Sequence, residues 1–230
     1  ARRMMNSFIE ITGQRVAAPT RKCWMRRDGS LATVEEIVGE YYLVERGFDH
    51  YLTDTSCVYG GLLWVLFSDL LFHTNVAARN PLRRLFYYQP GNGYARYRDE
   101  IEERLSAFAD ERVSCLRESY IRFYAHPLFA DAQSQVSGRF GSWARYHEEA
   151  LITFCHTAPE HGMEDLIREC LLTSSRGVNR GWPDLVIWRT DRLVFTEVKA
   201  RDKLSAAQIN WIQQHCDWQA VELVRVMEVR

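Results

Sequence analysis

Lysine is nearly missing from this 230-residue sequence: it occurs only at Lys22, Lys199 and Lys203, and every other basic residue is arginine. There is no net charge to speak of, with 29 basic against 30 acidic residues. A nucleic-acid partner therefore has to be met by a local basic patch, since no global positive field exists. The six cysteines, Cys23, Cys57, Cys115, Cys155, Cys170 and Cys216, include no CxxC pair. That spacing argues against a disulfide framework and against a zinc site. His147, His156 and His161 lie near Cys155 and Cys170 at irregular intervals, so ordinary structural histidines are favoured over a metal cluster. With no secretory signal pattern, the chain reads as intracellular, cytoplasmic in a bacterium or nuclear in a eukaryote. No apolar run is long enough to cross a bilayer: GGLLWVLFSDLLF, from Gly60 to Phe72, is too short, contains Asp69, and reads as a buried helix. Internal repeats, coiled-coil heptads and a Pro/Gly/Ser-rich linker are also missing, so nothing divides the chain into separate modules.

What is present is apolar content of 47%, enough for a sizeable core. Residues 1 to about 30 look irregular, with Arg21, Lys22, Arg26 and Arg27 around Trp24, and are expected to form an arm or a loosely attached strand. Val34, Ile37, Val38, Tyr41 and Val44 follow helical periodicity, closed by Gly47. Further helices are expected from about Asp54 to His73, 97 to 109, 111 to 125, 142 to 155 and 162 to 173. After Arg176 the pattern changes. DLVIW and LVFTEV, separated by a Thr-Asp turn, read as a β-hairpin. LSAAQINWIQQHC reads as a helix with Ser205 as its N-cap, and VELVRVMEV as another strand. The C-terminal third is thus a small α/β unit behind a mostly helical N-terminal portion.

The hairpin carries chemistry as well as core. Asp184 starts one strand and Glu197 ends the other, so antiparallel pairing brings the two carboxylates to one point. Residues two apart on a strand share a face, which puts Lys199 beside Glu197 and turns Val198 back into the core. Two carboxylates on one spot repel unless a cation lies between them, and their hard oxygens suit Mg²⁺ or Mn²⁺. A lysine at their side can orient a water or hold a phosphate oxygen. This set of parts suits metal-assisted phosphodiester hydrolysis. Acids at strand ends and ExK triplets are common by chance; an ordered Pro-Asp, strand, hairpin and Glu-Val-Lys is far more specific.

GWPDLVIW followed by FTEVKARDKLSAAQINWI resembles the signature of VRR-NUC (virus-type replication-repair nuclease) domains, a branch of the PD-(D/E)xK nuclease superfamily. VEEIVGEYYLVERGF, VYGGLLWVLFSDLLF, RNPLRRLFYYQP and YRDEIEERL are similar to successive blocks of the Fanconi-associated nuclease family. The resemblance implies a restriction-endonuclease-like core, a small mixed sheet with flanking helices, at residues 176–230. A helical portion (31–175) would pack on it, with a basic arm at 1–30. It further implies that Asp184 and Glu197 are metal ligands, that the Val198 carbonyl reaches the metal, and that Lys199 is the catalytic lysine. Gln208 matches a Gln of the pattern; it contacts phosphate, supports Lys199, or is an ordinary helix-surface glutamine.

The sequence departs from the pattern in one place. The family carries a metal-binding Glu near the start of the helix before its YGLLLW-like block, and the matching position here is near Tyr51. Asp54, three residues on, is a tentative replacement ligand and equally a plain N-cap. For DNA, the candidate cations are Arg176 and Arg180 beside the motif, Arg83 and Arg84 leading into Tyr87 and Tyr88, and Lys22 in the first cluster. The expected function is a divalent-metal-dependent, structure-selective DNA nuclease acting on branched or flapped substrates, 5′-flap by resemblance. The alternatives are a Holliday-junction-resolving homodimer and a catalytically weak DNA-binding module.

Overall fold

The computed structural model describes residues 7–17, 22–26, 28–53, 55–71, 94–125, 140–159, 162–173, 181–200, 202–216 and 220–228. Contacts divide the chain into two compact units, residues 1–56 with 179–230, and residues 57–178.

The first unit is a seven-stranded mixed sheet with a helix on each face. Its strands are β1 (Ser7–Ala17), β2 (Lys22–Met25), β3 (Leu31–Ala32), β4 (His50–Thr53), β5 (Leu185–Arg189), β6 (Arg192–Lys199) and β7 (Ala220–Glu228), in the order β3-β2-β1-β7-β6-β5-β4. The stretch expected as an arm or a loosely attached strand forms strands built into the sheet: β1 runs parallel to β7 through Ser7–Gly13, then turns its second half onto β2. Its partner lies two hundred residues away, and no local periodicity announces such a pairing. β5 and β6 form the expected hairpin, and β4 closes the edge against β5.

Helix α1 (Val34–Arg46) covers one face. Thr33 and Glu36 form a capping box at its start, and Gly47 in the left-handed conformation ends it. Val38 and Tyr42 are buried against Leu185, Ile187, Val194, Val198, Val224 and Val226. A Cβ at Gly39 would lie 2.4 Å from the Tyr51 ring, so a glycine is what lets β4 and α1 come this close. On the same face Glu222 of β7, 2% exposed, accepts from the Tyr42 hydroxyl and from Arg192 at 3.3 Å, with Arg46 at 3.7 Å.

The other face receives α7 (Ala206–His215), which links the parallel strands β6 and β7 as a crossover must. Trp211 anchors it, with ring contacts to Phe195 (5.3 Å), Trp182 (5.6 Å) and His215 (4.1 Å).

The second unit is helical. It contains α3 (Arg98–Asp110), α4 (Arg112–Ala125), α5 (Phe140–Thr157), α6 (Met163–Thr173) and all but the first two residues of α2 (Thr55–Leu71). Val58, Tyr59, Leu62, Leu63, Val65, Leu66 and Phe67 are buried, as the apolar composition of that run requires. Phe67 leaves helical geometry, and Arg104 of α3 bonds both the freed Leu66 carbonyl and the Asp69 carboxylate. No helix among the described residues is long and apolar enough to cross a membrane.

Candidate functional site

The β5–β6 register pairs Leu185 with Thr196, so the next step outward sets Asp184 opposite Glu197 at the open end of the hairpin. Asp184 is held from below: its Oδ2 accepts the Val198 N–H at 2.8 Å. Two features fix the chain before it. Gly181 has φ +95°, and an added Cβ would lie 2.3 Å from the Ala207 carbonyl oxygen, so only glycine lets this loop rest on the first turn of α7. Trp182 then packs on Trp211 of the same helix.

Glu197 is 1% exposed and shares its face with Lys199, whose Nζ lies 2.6 Å from Glu197 Oε1. The same oxygen accepts from Gln208 Nε2 at 2.5 Å. Oε2 is buried and accepts no hydrogen bond among the described residues. Burial, and then the Asp184 charge, push the Glu197 carboxyl up to about 8, with Lys199 opposing. Burial also raises Asp184, against the pull of the Val198 N–H and of Lys199.

Beside these groups lies a cavity of about 610 Å³ at the carboxyl ends of β6, β7 and β1. Asp184, Val198, Lys199, Glu35 and Arg15 are among its lining residues. In α/β sheets the carboxyl ends of parallel strands are where ligands bind. Glu35, in the first turn of α1, and Arg15, on β1, were not foreseen from the sequence. They come to the site only through tertiary structure, from stretches with no local chemical signal. The charge of Glu35 also bears on Asp184, raising it.

A divalent cation can be tested against this geometry. A buried carboxylate oxygen with no donor, next to a second carboxylate, is the donor set a hard cation completes. Asp184 and Glu197 fit that description. No third His, Cys, Asp or Glu joins them in one metal-holding group among the described residues.

The other expected site residues divide as follows. Val198 lies in the site, engaged through its N–H, and Gln208 reaches Glu197 rather than Lys199. Asp54, Arg83, Arg84, Arg176 and Arg180 lie outside the described residues, as does the side chain of Lys22 in β2. The family's helix-start position does not fall on a helix here: Tyr51 belongs to strand β4, which ends at Thr53, and α2 begins at Thr55. Helical spacing does not apply across that junction.

Comparison with known proteins agrees with this architecture. The family described as "VRR-NUC domain" matches residues 124–228. A Fanconi-associated nuclease 1 homolog of Caenorhabditis elegans is 23% identical over 80% of this chain and 22% of its own length. The homolog of Caenorhabditis briggsae is 20% identical over 80% of this chain and 21% of its own length. The chain thus spans about a fifth of the curated relatives it matches. Two solved structures of paFAN1, bound to 5′-flap DNA with a gap carrying a 2-nucleotide or a 1-nucleotide flap, each superpose with a TM-score of 0.60 at 19% identity. They cover 94% and 100% of this chain, and 39% and 40% of theirs. Residues 124–228 are thus similar to the VRR-NUC domain family, and the chain as a whole is similar to the Fanconi-associated nucleases.

Proposed function

We propose that this protein is a divalent-metal-dependent DNA nuclease that hydrolyses phosphodiester bonds in branched or flapped DNA. One observation carries the proposal: Asp184 and Lys199 line a cavity, Glu197 contacts Lys199 beside it, and a buried oxygen of Glu197 accepts no hydrogen bond among the described residues. Asp184 and Glu197 would hold Mg²⁺ or Mn²⁺, with the Val198 carbonyl as a further ligand. The ion supplies Lewis-acid stabilisation of the charge that builds on the scissile phosphate. Lys199 is the cation of the set: its ammonium, in contact with Glu197, orients the attacking water or holds a phosphate oxygen. Arg15, on the cavity wall, is placed to take a neighbouring phosphate of the same strand. Arg176, Arg180, Arg83, Arg84 and Lys22 are proposed to track the DNA backbone, which fits recognition by structure rather than base sequence. The similarity to paFAN1 bound to flap DNA supports a flap-like substrate.

A second reading, a DNA-binding module with little catalysis, is favoured by the lack of a third carboxylate in the metal-holding group among the described residues. Labelled flap, splayed-arm, four-way-junction and single-stranded DNA, offered with Mg²⁺ or Mn²⁺, separate the two. Cutting that needs the metal and disappears in Asp184→Ala and Lys199→Ala supports the nuclease. Preferential cutting of four-way junctions by a dimer points to a junction resolvase. Tight binding with no cutting in either metal sinks the proposal in favour of the binding module.

A further inference from the structure

Two helices of the first unit begin with the same device, and they use it differently. At α1, Glu36 Oε2 accepts the Thr33 N–H at 2.7 Å while Thr33 Oγ1 accepts the Glu36 N–H at 3.2 Å. At α7, Gln208 Oε1 accepts the Ser205 N–H at 2.9 Å while Ser205 Oγ accepts the Gln208 N–H at 3.2 Å. A carboxylate is the better partner at such a position, since its charge strengthens the bond and suits the helix dipole. An amide gives up that advantage and adds one thing, a donor. That donor, Nε2, is the group on Glu197 Oε1.

The orientation of the amide follows from the cap. A main-chain N–H can only donate, so the end of the Gln208 amide facing Ser205 must be the oxygen. The NH₂ is then left facing Glu197. Turned over, the amide would set N–H against N–H and oxygen against carboxylate, two repulsive contacts in place of two bonds. With Gln208 and Lys199 both on Oε1, the carboxylate is held against rotation and Oε2 is the oxygen left for a cation. The terminal torsion of a glutamate is otherwise soft and roughly two-fold.

We propose that Gln208, oriented by the Ser205 main-chain N–H, is a positioning residue that fixes the Glu197 carboxylate for metal binding, so that the N-cap of α7 is part of the site's construction. The inference rests on the reading of Asp184 and Glu197 as metal ligands. It makes Ser205, which touches none of the reacting groups, a determinant of metal affinity.

Calorimetric titration of the whole chain with Mn²⁺ alone, beside thermal melting, tests it with four variants. Gln208→Ala removes the donor. Ser205→Pro removes the N–H that orients the amide, together with the hydroxyl that accepts the Gln208 N–H, at a residue whose φ of −72° proline accepts, and keeps the Gln208 side chain; Ser205→Ala, which loses the hydroxyl alone, is its control. Glu36→Ala strips the equivalent position of the α1 box as the control for loss of a cap. Gln208→Ala is expected to weaken Mn²⁺ binding tenfold or more and Ser205→Pro at least threefold, while Glu36→Ala stays within twofold of wild type. On flap DNA, Gln208→Ala should lower kcat and leave KM nearly unchanged. A readout without metal completes the test: the ¹⁵N-resolved Gln208 carboxamide should show one downfield, slowly exchanging proton in wild type that is lost in Ser205→Pro. Wild-type affinity and an unmoved carboxamide signal in Ser205→Pro would overturn the inference, as would equal weakening by Gln208→Ala and Glu36→Ala. A wild type that binds Mn²⁺ but cuts no DNA would sink the nuclease reading instead, and the titrations and the amide signal would still decide this one. A wild type that binds no Mn²⁺ overturns both.

Discussion

Glu197 and Glu222 sit almost side by side on neighbouring strands, β6 and β7, with Glu222 in register with Thr196. Both are nearly inaccessible, at 1% and 2%. They point to opposite faces of the sheet, and their surroundings differ in sign. Toward α1, Glu222 has two guanidinium groups and the Tyr42 hydroxyl for one carboxylate. Toward α7, Glu197 and Asp184 set two carboxyl groups against the ammonium of Lys199, and one oxygen of Glu197 accepts no hydrogen bond among the described residues. Burial of a charge is tolerated when the fold supplies its partners. The first face satisfies that rule within the chain. The second does not satisfy it among the described residues, and groups perturbed in this way collect at functional sites. The difference teaches that burial alone does not mark the site; incomplete compensation does.

The comparison is broken most sharply by substituting each face in turn. On the α7 face, Asp184→Asn or Lys199→Met should reduce metal-dependent DNA cleavage by at least a thousandfold, about 4 kcal/mol of barrier, with the fold retained by circular dichroism. Lys199→Met should lower stability, because it removes the ammonium beside Glu197, while Asp184→Asn should raise that of the metal-free protein, because it removes one of two repelling acids. Glu222→Gln should do the reverse. It takes the counter-charge from Arg46 and Arg192, which are themselves partly exposed, so a loss of about 2 kcal/mol in denaturant unfolding is expected. Cleavage per folded molecule should remain near wild type. Equal behaviour of the two glutamates would mean that both are structural. Next in size is Gly181→Ala. Strain at φ +95° together with the close Ala207 carbonyl should cost about 1–3 kcal/mol, and displacement of α7 from the Asp184 loop should lower cleavage beyond what unfolding explains.

The α7 face was legible in the sequence to an unusual degree, and the reasons are local. A hairpin of two short apolar runs fixes its own register, so Asp184 and Glu197 could be paired on paper, and alternation put Lys199 with Glu197. Ser205 announced the start of α7. The capping-box spacing Ser-x-x-Gln was there to read as well, and would have fixed the Gln208 amide, but its reach to Glu197 depends on how α7 packs. The parts assembled over long sequence distances could not be seen. β1 is ordered by β7, Arg15 arrives with β1, and Glu35 arrives with the first turn of α1. Tyr51 shows the opposite hazard: its neighbourhood suggested a helix start, whereas pairing with Ile187 on β5 makes it strand. Glu222 lay inside an apolar run as one acid in VELVRV, with nothing to show that it meets Tyr42, Arg46 and Arg192.

The gentlest way to sharpen the contrast is pH. Folding raises the Glu197 carboxyl to about 8, against roughly 4.3 in an unfolded chain. Between those values the folded protein keeps a proton that the unfolded chain has released, so raising the pH favours unfolding. Stability of the metal-free protein should therefore decline from about pH 5 to pH 8, never more steeply from this group than about 1.4 kcal/mol per unit, and level off above. Asp184 is raised as well and adds to the decline with the same sign. Asp69, held by Arg104 below the usual carboxylate range, loses its contribution only as the pH falls further, outside this window. Melting temperatures across pH 5–9 check the slope, and Glu197→Gln should flatten it. Saturating Mn²⁺ should flatten it too, because a cation replaces the proton between the two carboxylates, so its stabilising effect should be larger at pH 8 than at pH 5. A metal-induced shift that is the same at both ends would show that Mn²⁺ binds somewhere other than Asp184 and Glu197.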